Sequence, residues 1–295
     1  MSDHQSTLPL AGQLADEIRA LARQALAKGL GPAAAREARD RVCRPVDYMR
    51  HAEFDAVLRW LDLRDGMRVV DFSGPQWLTL ALAARHRGVE FIYTNIIDAE
   101  LAVYREISGA LGLSNLVLHQ TDLRQLDLAD ASVDLALCVS VLEHVYPEVG
   151  GDVEALTELR RVLAPGGALL LTVPFKAKRQ VVRVNQAVFE RAAAVNTFYA
   201  REYDRAQLDE LLAGRGLEVV AQCHIHELDG AMALDAIGWG PRRGRPLSAL
   251  ALKLVRAIER VLAIDVERRL AQRYLRVSTA PQPRLVNIGM RLERR

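Results

Sequence analysis

The sequence is poor in several things, and each shortage narrows what the chain can be. It has three cysteines, Cys43, Cys138 and Cys223, in 295 residues. An odd, scattered set without paired spacing reads as reduced thiols, not a disulfide frame or a thiolate metal site. With 39 Lys and Arg against 37 Asp and Glu the net charge is +2, too small to imply a polyanion partner. No uninterrupted apolar run reaches the ~18–20 residues that span a bilayer. The opening MSDHQSTLPL lacks the basic-then-apolar layout of a secretory signal. The expectation is a soluble cytoplasmic protein, and 50% hydrophobic content suffices for a large core.

Glycine is also missing from one particular place. VVDFSGPQWLTLAL, residues 69–82, runs from an apolar strand through an acid and a tight turn into an amphipathic helix. That is the layout of a nucleotide-binding βα unit. A dinucleotide fingerprint has glycines at alternate turn positions. Here those positions carry Ser73, Pro75 and Trp77, with Gly74 between them.

What is present is alternation. Residues 11–40 read as one or two amphipathic helices broken at Gly29, Gly31 and Pro32, and 54–63 as another. Strands at 68–72, 89–95, 115–120, 133–139 and 167–174 are interleaved with helices at 77–87, 98–112 and 152–163. The strands are continuous apolar runs (VVDF, DLALCV, ALLLTV), as expected of a parallel sheet covered on both faces. Later come helix 205–213, strand 217–225 and an alternating strand at 284–294. The expected organisation is an N-terminal helical cap (1–62), an α/β core (63–227), a helical insertion (228–282) and a final strand of the core (283–295). The fold class is doubly wound α/β, Rossmann-like and mostly parallel.

Four stretches then fall in order: VVDFSGPQWLTLALA, TD at 121–122, VSVLEHV at 139–145 and ELRRVLAPGGALLLTVP at 158–174. Together they resemble class I S-adenosylmethionine-dependent methyltransferases of the group acting mostly on small molecules. The resemblance covers roughly residues 45–225 and the last strand, and RVLAPGGALLLTVP is its most specific part. It implies a seven-stranded sheet with an antiparallel last strand, S-adenosyl-L-methionine as cofactor, and methyl transfer to an O or N nucleophile of a small metabolite. It makes Asp71 the acid that organises the cofactor loop, with Ser73, Gly74 and Pro75 in that loop. Asn95 stands where an acid usually bridges the ribose hydroxyls, with Asp98 three residues on. Asp122 matches the carboxylate for the adenine amino group and Leu123 a neighbouring N–H, while Ser140 also falls on the cofactor side. Ser140 replaces the second Glu of a metal-binding variant of the motif, so no metal is expected.

Adenosylmethionine has no phosphates, so its loop need not be a nest of N–H groups; Ser73-Gly74 allows close backbone approach, and Pro75 rigidifies the turn. His144 has the side chain whose ordinary pKa suits a general base, with Glu143 orienting it or binding substrate. Tyr48 and Arg50 precede the first strand and can reach the methionyl carboxylate or close over substrate. After the fifth strand, Phe175, Tyr199 and Tyr203 mix with Lys176, Lys178, Arg179, Arg183, Phe198 and Arg201, a set suited to an acidic or aromatic substrate. In CHIHE (223–227) the histidines face away from Cys223 and Glu227 on a strand, which argues against a four-ligand metal site. Residues 246–266 form an amphipathic helix with Leu250, Leu254, Ala257, Val261 and Ile264 on one face. A lid or a homodimer contact is the expected use, with membrane association less favoured and no nucleic acid expected. The alternative function is a non-catalytic relative that keeps the fold and binds a partner.

Overall fold

A computed structural model describes residues 8–188, 195–228 and 265–295. Three helices come first: α1 (Pro9–Leu26), α2 (Pro32–Cys43) and α3 (Tyr48–Arg59). Pro9 and Pro32 stand at first-turn positions, where a missing N–H leaves no helix bond unmade. The doubly wound unit follows as β1 (Arg68–Phe72), α4 (Gln76–Arg85), β2 (Glu90–Asn95), α5 (Asp98–Ala110), β3 (Leu116–Gln120), β4 (Val133–Val139), α6 (Gly151–Val162) and β5 (Leu163–Pro174). Then come β6 (Gln180–Val184), β7 (Thr197–Glu202), α7 (Arg205–Leu212), β8 (Leu217–Glu227), α8 (Val266–Tyr274), β9 (Leu275–Ser278) and β10 (Leu285–Arg294).

The main sheet has eight strands in the order β3-β2-β1-β4-β5-β10-β8-β9. β1 runs parallel to β2 and β4, and β10 enters antiparallel between β5 and β8. Seven strands were expected; the eighth is β9, which follows α8 and pairs antiparallel with the outer edge of β8. Alternation along the strands divides the core. Val69, Tyr93, Leu135 and Val139 face one cluster with α1, α2, α4 and α5. Val70, Phe72, Ala136 and Cys138 face another with α6 and α7. The N-terminal helices therefore share a core with the sheet.

Long-range bonds seat those helices. Asp55 of α3 accepts from Leu10 N at 3.0 Å, placing a carboxylate at the start of α1. Glu267 of α8 accepts from Tyr48 N at 2.7 Å and pairs with Arg44 at 3.2 Å, so α8 caps α3. In the LAPGG turn, a Cβ on Gly167 would lie 2.8 Å from Ala164 O and 3.1 Å from Asp134 O; only glycine lets the chain turn that close to β4.

Candidate active site

The site gathers where β1 and β4 end, at the switch point where doubly wound sheets bind ligands. Both strands end on a serine in the left-handed region, Ser73 at φ 54° and Ser140 at φ 51°. Together they border a cavity of about 230 Å³, whose wall includes Arg50, Gly74, Gln76 and Trp77.

On the β1 side, Asp71 is fully buried and accepts from Gly74 N at 3.1 Å and from the Thr79 hydroxyl. A Cβ on Gly74 would lie 2.6 Å from the Asp71 carboxylate, so glycine is required there. Burial pushes Asp71 up to about 7, against those two hydrogen bonds. The acid thus ties the loop from below and has no surface to offer a ligand. Ser73 donates to Thr94 O through both its N–H (2.9 Å) and its hydroxyl (3.0 Å). Trp77 donates to Glu37 Oε1 at 3.0 Å, as do Tyr104 at 2.9 Å and Arg41 at 3.0 Å. That glutamate of α2 fixes the indole where a glycine was expected.

Asn95 lies at the end of β2, 6% exposed. Its Oδ1 accepts from Ile97 N at 2.9 Å and its Nδ2 donates to Glu100 Oε2 at 2.9 Å. Asp98 turns along α5 to Arg105 at 3.0 Å. Asp122 is held by Arg124, which reaches it at 2.6 Å, and its own carboxylate also accepts from Arg124 N at 2.9 Å. Those side-chain bonds keep Asp122 below the usual carboxylate range. Leu123 packs its side chain into the α6–α7 core.

On the β4 side the centre is Glu53, which sequence reasoning missed. It is fully buried and accepts from Arg50, Ser140 Oγ, Thr172 Oγ1 at 3.2 Å and Asn287 Nδ2 at 2.6 Å. The one sequence signal was an acid inside the apolar stripe of α3, between Ala52, Phe54 and Ala56. Burial opposes the charge of Arg50, but Glu53 and Glu143 hold it firmly protonated. Glu143 is 2% exposed with a buried Oε2 that has no hydrogen-bond partner among the described residues. Burial pushes it up to about 8, only partly offset by Arg50.

His144 Nδ1 meets Tyr199 O at 2.8 Å, and its ring packs edge-on to Tyr199 with centroids 4.8 Å apart. Because a carbonyl can only accept, Nδ1 donates to it, and Nε2 lies 3.8 Å from Glu143 Oε1. A main-chain carbonyl of β7 therefore orients His144 through Nδ1, with Glu143, expected to orient it or to bind substrate, on the Nε2 side.

Four residues expected at the substrate are placed elsewhere. Tyr48 is 1% exposed and bonds Glu227 Oε1 at 3.0 Å. Tyr203 has no exposed surface and bonds Asp152 at 3.0 Å. Phe175 is buried between His224 and the Arg205 guanidinium. Arg201, 3% exposed, grips the carbonyls of Val145 (2.8 Å) and Glu148 (2.7 Å) and pairs with Asp152 at 3.3 Å. It clamps the loop carrying His144, because a buried guanidinium must find acceptors for its donors. Arg183 pairs with Glu148. The 246–264 part of the expected amphipathic helix lies outside the described residues. Among the described residues no cluster of three His, Cys, Asp or Glu could hold a metal, and no helix is long and apolar enough to cross a membrane.

Known proteins resemble the chain in sequence and in fold. Residues 72–171 match the family described as "Methyltransferase domain". A probable S-adenosylmethionine-dependent methyltransferase of Mycolicibacterium smegmatis is 33% identical over 121 residues, 40% of this chain and 42% of that protein. One from Mycobacterium tuberculosis is 31% identical over 119 residues, 40% and 38% of the two chains. The match thus spans about two fifths of these relatives' length. Among solved structures, the 4+2 cyclase SpnF superposes with a TM-score of 0.52 at 18% identity, covering 84% of this chain and 83% of its own. The YcgJ protein of Bacillus subtilis gives 0.50 at 15% identity, with coverage of 83% and 99%. Both share the fold. Over residues 72–171 the chain is similar to S-adenosylmethionine-dependent methyltransferases.

The names of these relatives make S-adenosyl-L-methionine their cofactor, and the residues around the cavity have chemistry suited to it. The cavity beside Gly74 admits the amino-acid end, and Arg50 and Arg41 on its wall suit a carboxylate. Asp122 has the chemistry for an adenine amino group, shared with Arg124.

Proposed function

We propose that the protein transfers a methyl group from adenosylmethionine to an oxygen or nitrogen of a small metabolite. The observation that carries this reading is that the β1 loop, Arg50 and Ser140 line one cavity, with His144 four residues after Ser140 in the chain. Bound cofactor supplies an electrophilic methyl on sulfur. The chain's own part is alignment and removal of a proton. Arg50 would hold the carboxylate of the ligand's amino acid, and Gly74 gives it backbone access. His144 would take the acceptor's proton at Nε2, its tautomer set by Tyr199 O.

A second reading, a fold retained for binding without turnover, is favoured by one observation: Ser73 directs both its donors at Thr94 O, so the loop partly satisfies itself. Calorimetric titration with adenosylmethionine and adenosylhomocysteine tests both. Binding of either supports a working cofactor site, and no binding of either overturns the enzyme reading. Once an acceptor is found, His144→Ala is expected to lower turnover about a hundredfold or more while leaving cofactor affinity unchanged. A wild-type rate would remove His144 from the chemistry.

A further inference from the structure

A bound ribose presents two adjacent hydroxyls, and an anionic acceptor at the end of the second strand is the usual way a doubly wound sheet grips them. Position 95, where that acid is expected, is an asparagine whose amide is already engaged. Its oxygen takes the Ile97 N–H at 2.9 Å, and its nitrogen gives to Glu100 at 2.9 Å. Asp98 is drawn away by Arg105 at 3.0 Å. The group that Asn95 turns to is the carboxylate of Glu100, in the first turn of α5. Gln76, a cavity-lining residue, donates to the same Oε2 at 3.3 Å. Two neutral amides from different elements, one of them on the cavity wall, thus hold one carboxylate oxygen, and Glu100 is solvent-exposed.

We propose that Glu100, steered by Asn95 and Gln76, is the carboxylate that receives the ribose hydroxyls of an adenosyl ligand. The chemistry follows from the inventory of lone pairs. An ionised carboxylate offers about four acceptor sites, and the two amides occupy Oε2, leaving Oε1 for the diol. Hydroxyl-to-carboxylate bonds are charge-assisted and stronger than bonds to an amide oxygen. Asn95 becomes a positioning residue: an acid at 95 would repel Glu100, whereas the amide's N–H draws it in. Sequence position and acid identity have separated, with the charge moved five residues along and returned by the first turn of α5.

This assignment rests on the methyltransferase reading, and the test separates the two. The full chain and Glu100→Gln are titrated calorimetrically with adenosylhomocysteine and with its 2′-deoxy analogue. The wild type is expected to prefer adenosylhomocysteine by about tenfold, the usual scale of one charged hydrogen bond. Glu100→Gln is expected to lose that preference, binding both ligands at about the weaker level. Adding Asn95→Asp to Glu100→Gln is expected to restore it by returning the charge to the strand end. A Glu100→Gln chain that keeps the wild-type preference, or weakens for both ligands by the same factor, overturns the assignment and makes the carboxylate a tie between loops. A wild type that binds neither ligand overturns the methyltransferase reading and this assignment with it.

Discussion

The ends of β1 and β4 are built on the same backbone device and stabilised in opposite ways. Each places a serine in the left-handed region, at φ 54° and 51°, where an L-residue is disfavoured and surrounding bonds must hold it. At β1 those bonds are local to the nucleotide-binding half. Ser73 leans on Thr94 of the adjacent strand, and Asp71 ties Gly74 three residues away. At β4 they come from far along the chain, since Ser140 bonds Glu53, 87 residues earlier, which also holds Asn287, 234 residues from itself. The first end is thus written into one βα unit. The second exists only when α3, β4, β5 and β10 have assembled. One buried acid serves the first end, and two flank Arg50 at the second.

The largest expected effect breaks the β4 end. Glu53→Ala leaves the Arg50 guanidinium without its partner and strips acceptors from three other donors, a change expected to cost about 3–5 kcal/mol. Urea unfolding would read it, and a loss comparable to an exposed ion pair would show that the hub is not structural. Arg201→Met follows, at about 2–3 kcal/mol from orphaned carbonyls of the 143–148 loop. It should also impair any activity that depends on His144. Equal stability to wild type would mean the loop holds itself.

A pH series sharpens the comparison. A carboxyl whose folded pKa lies above its unfolded one binds its proton more tightly when folded, so stability falls as pH rises between the two values. Asp71 covers the window from 3.8 to about 7, and Glu143 that from 4.5 to about 8. Asp71→Asn and Glu143→Gln should each flatten the decline in urea midpoint between pH 5 and 7. Between pH 7 and 8 only Glu143→Gln should matter. A wild-type midpoint that rises over this range would reverse both assignments. The smallest effect is Ser73→Gly, which relaxes the left-handed backbone but deletes the hydroxyl bond to Thr94. It should change stability by less than about 1 kcal/mol, and a larger loss would show that the bond outweighs the backbone relief.

Legibility in the sequence follows the same division. Strands 68–72 and 133–139 were read to the residue, because continuous apolar runs between turn signals are a local property. Helix α3 was placed at 54–63 but runs from Tyr48 to Arg59. Its start is capped by Glu267, 219 residues away, and no local pattern carries that. The basic, aromatic stretch after β5 read as a ligand-facing elaboration. In the fold it contributes the carbonyl of Tyr199 to the site and buries Arg201 as a clamp, since the sequence shows charge but not which charges find buried acceptors.

The sequence alone determined the alternating α/β order and the turn that follows β1, because hydrophobic period and turn residues act over a few residues. Tertiary structure decided which polar groups share a cavity. It turned Asn95 toward Glu100, lodged Trp77 against Glu37, put Glu53 beneath Ser140 and buried Tyr48 and Tyr203. The physical reason is desolvation: a buried polar group must find a partner wherever the chain brings one, and that partner is set by packing across the fold.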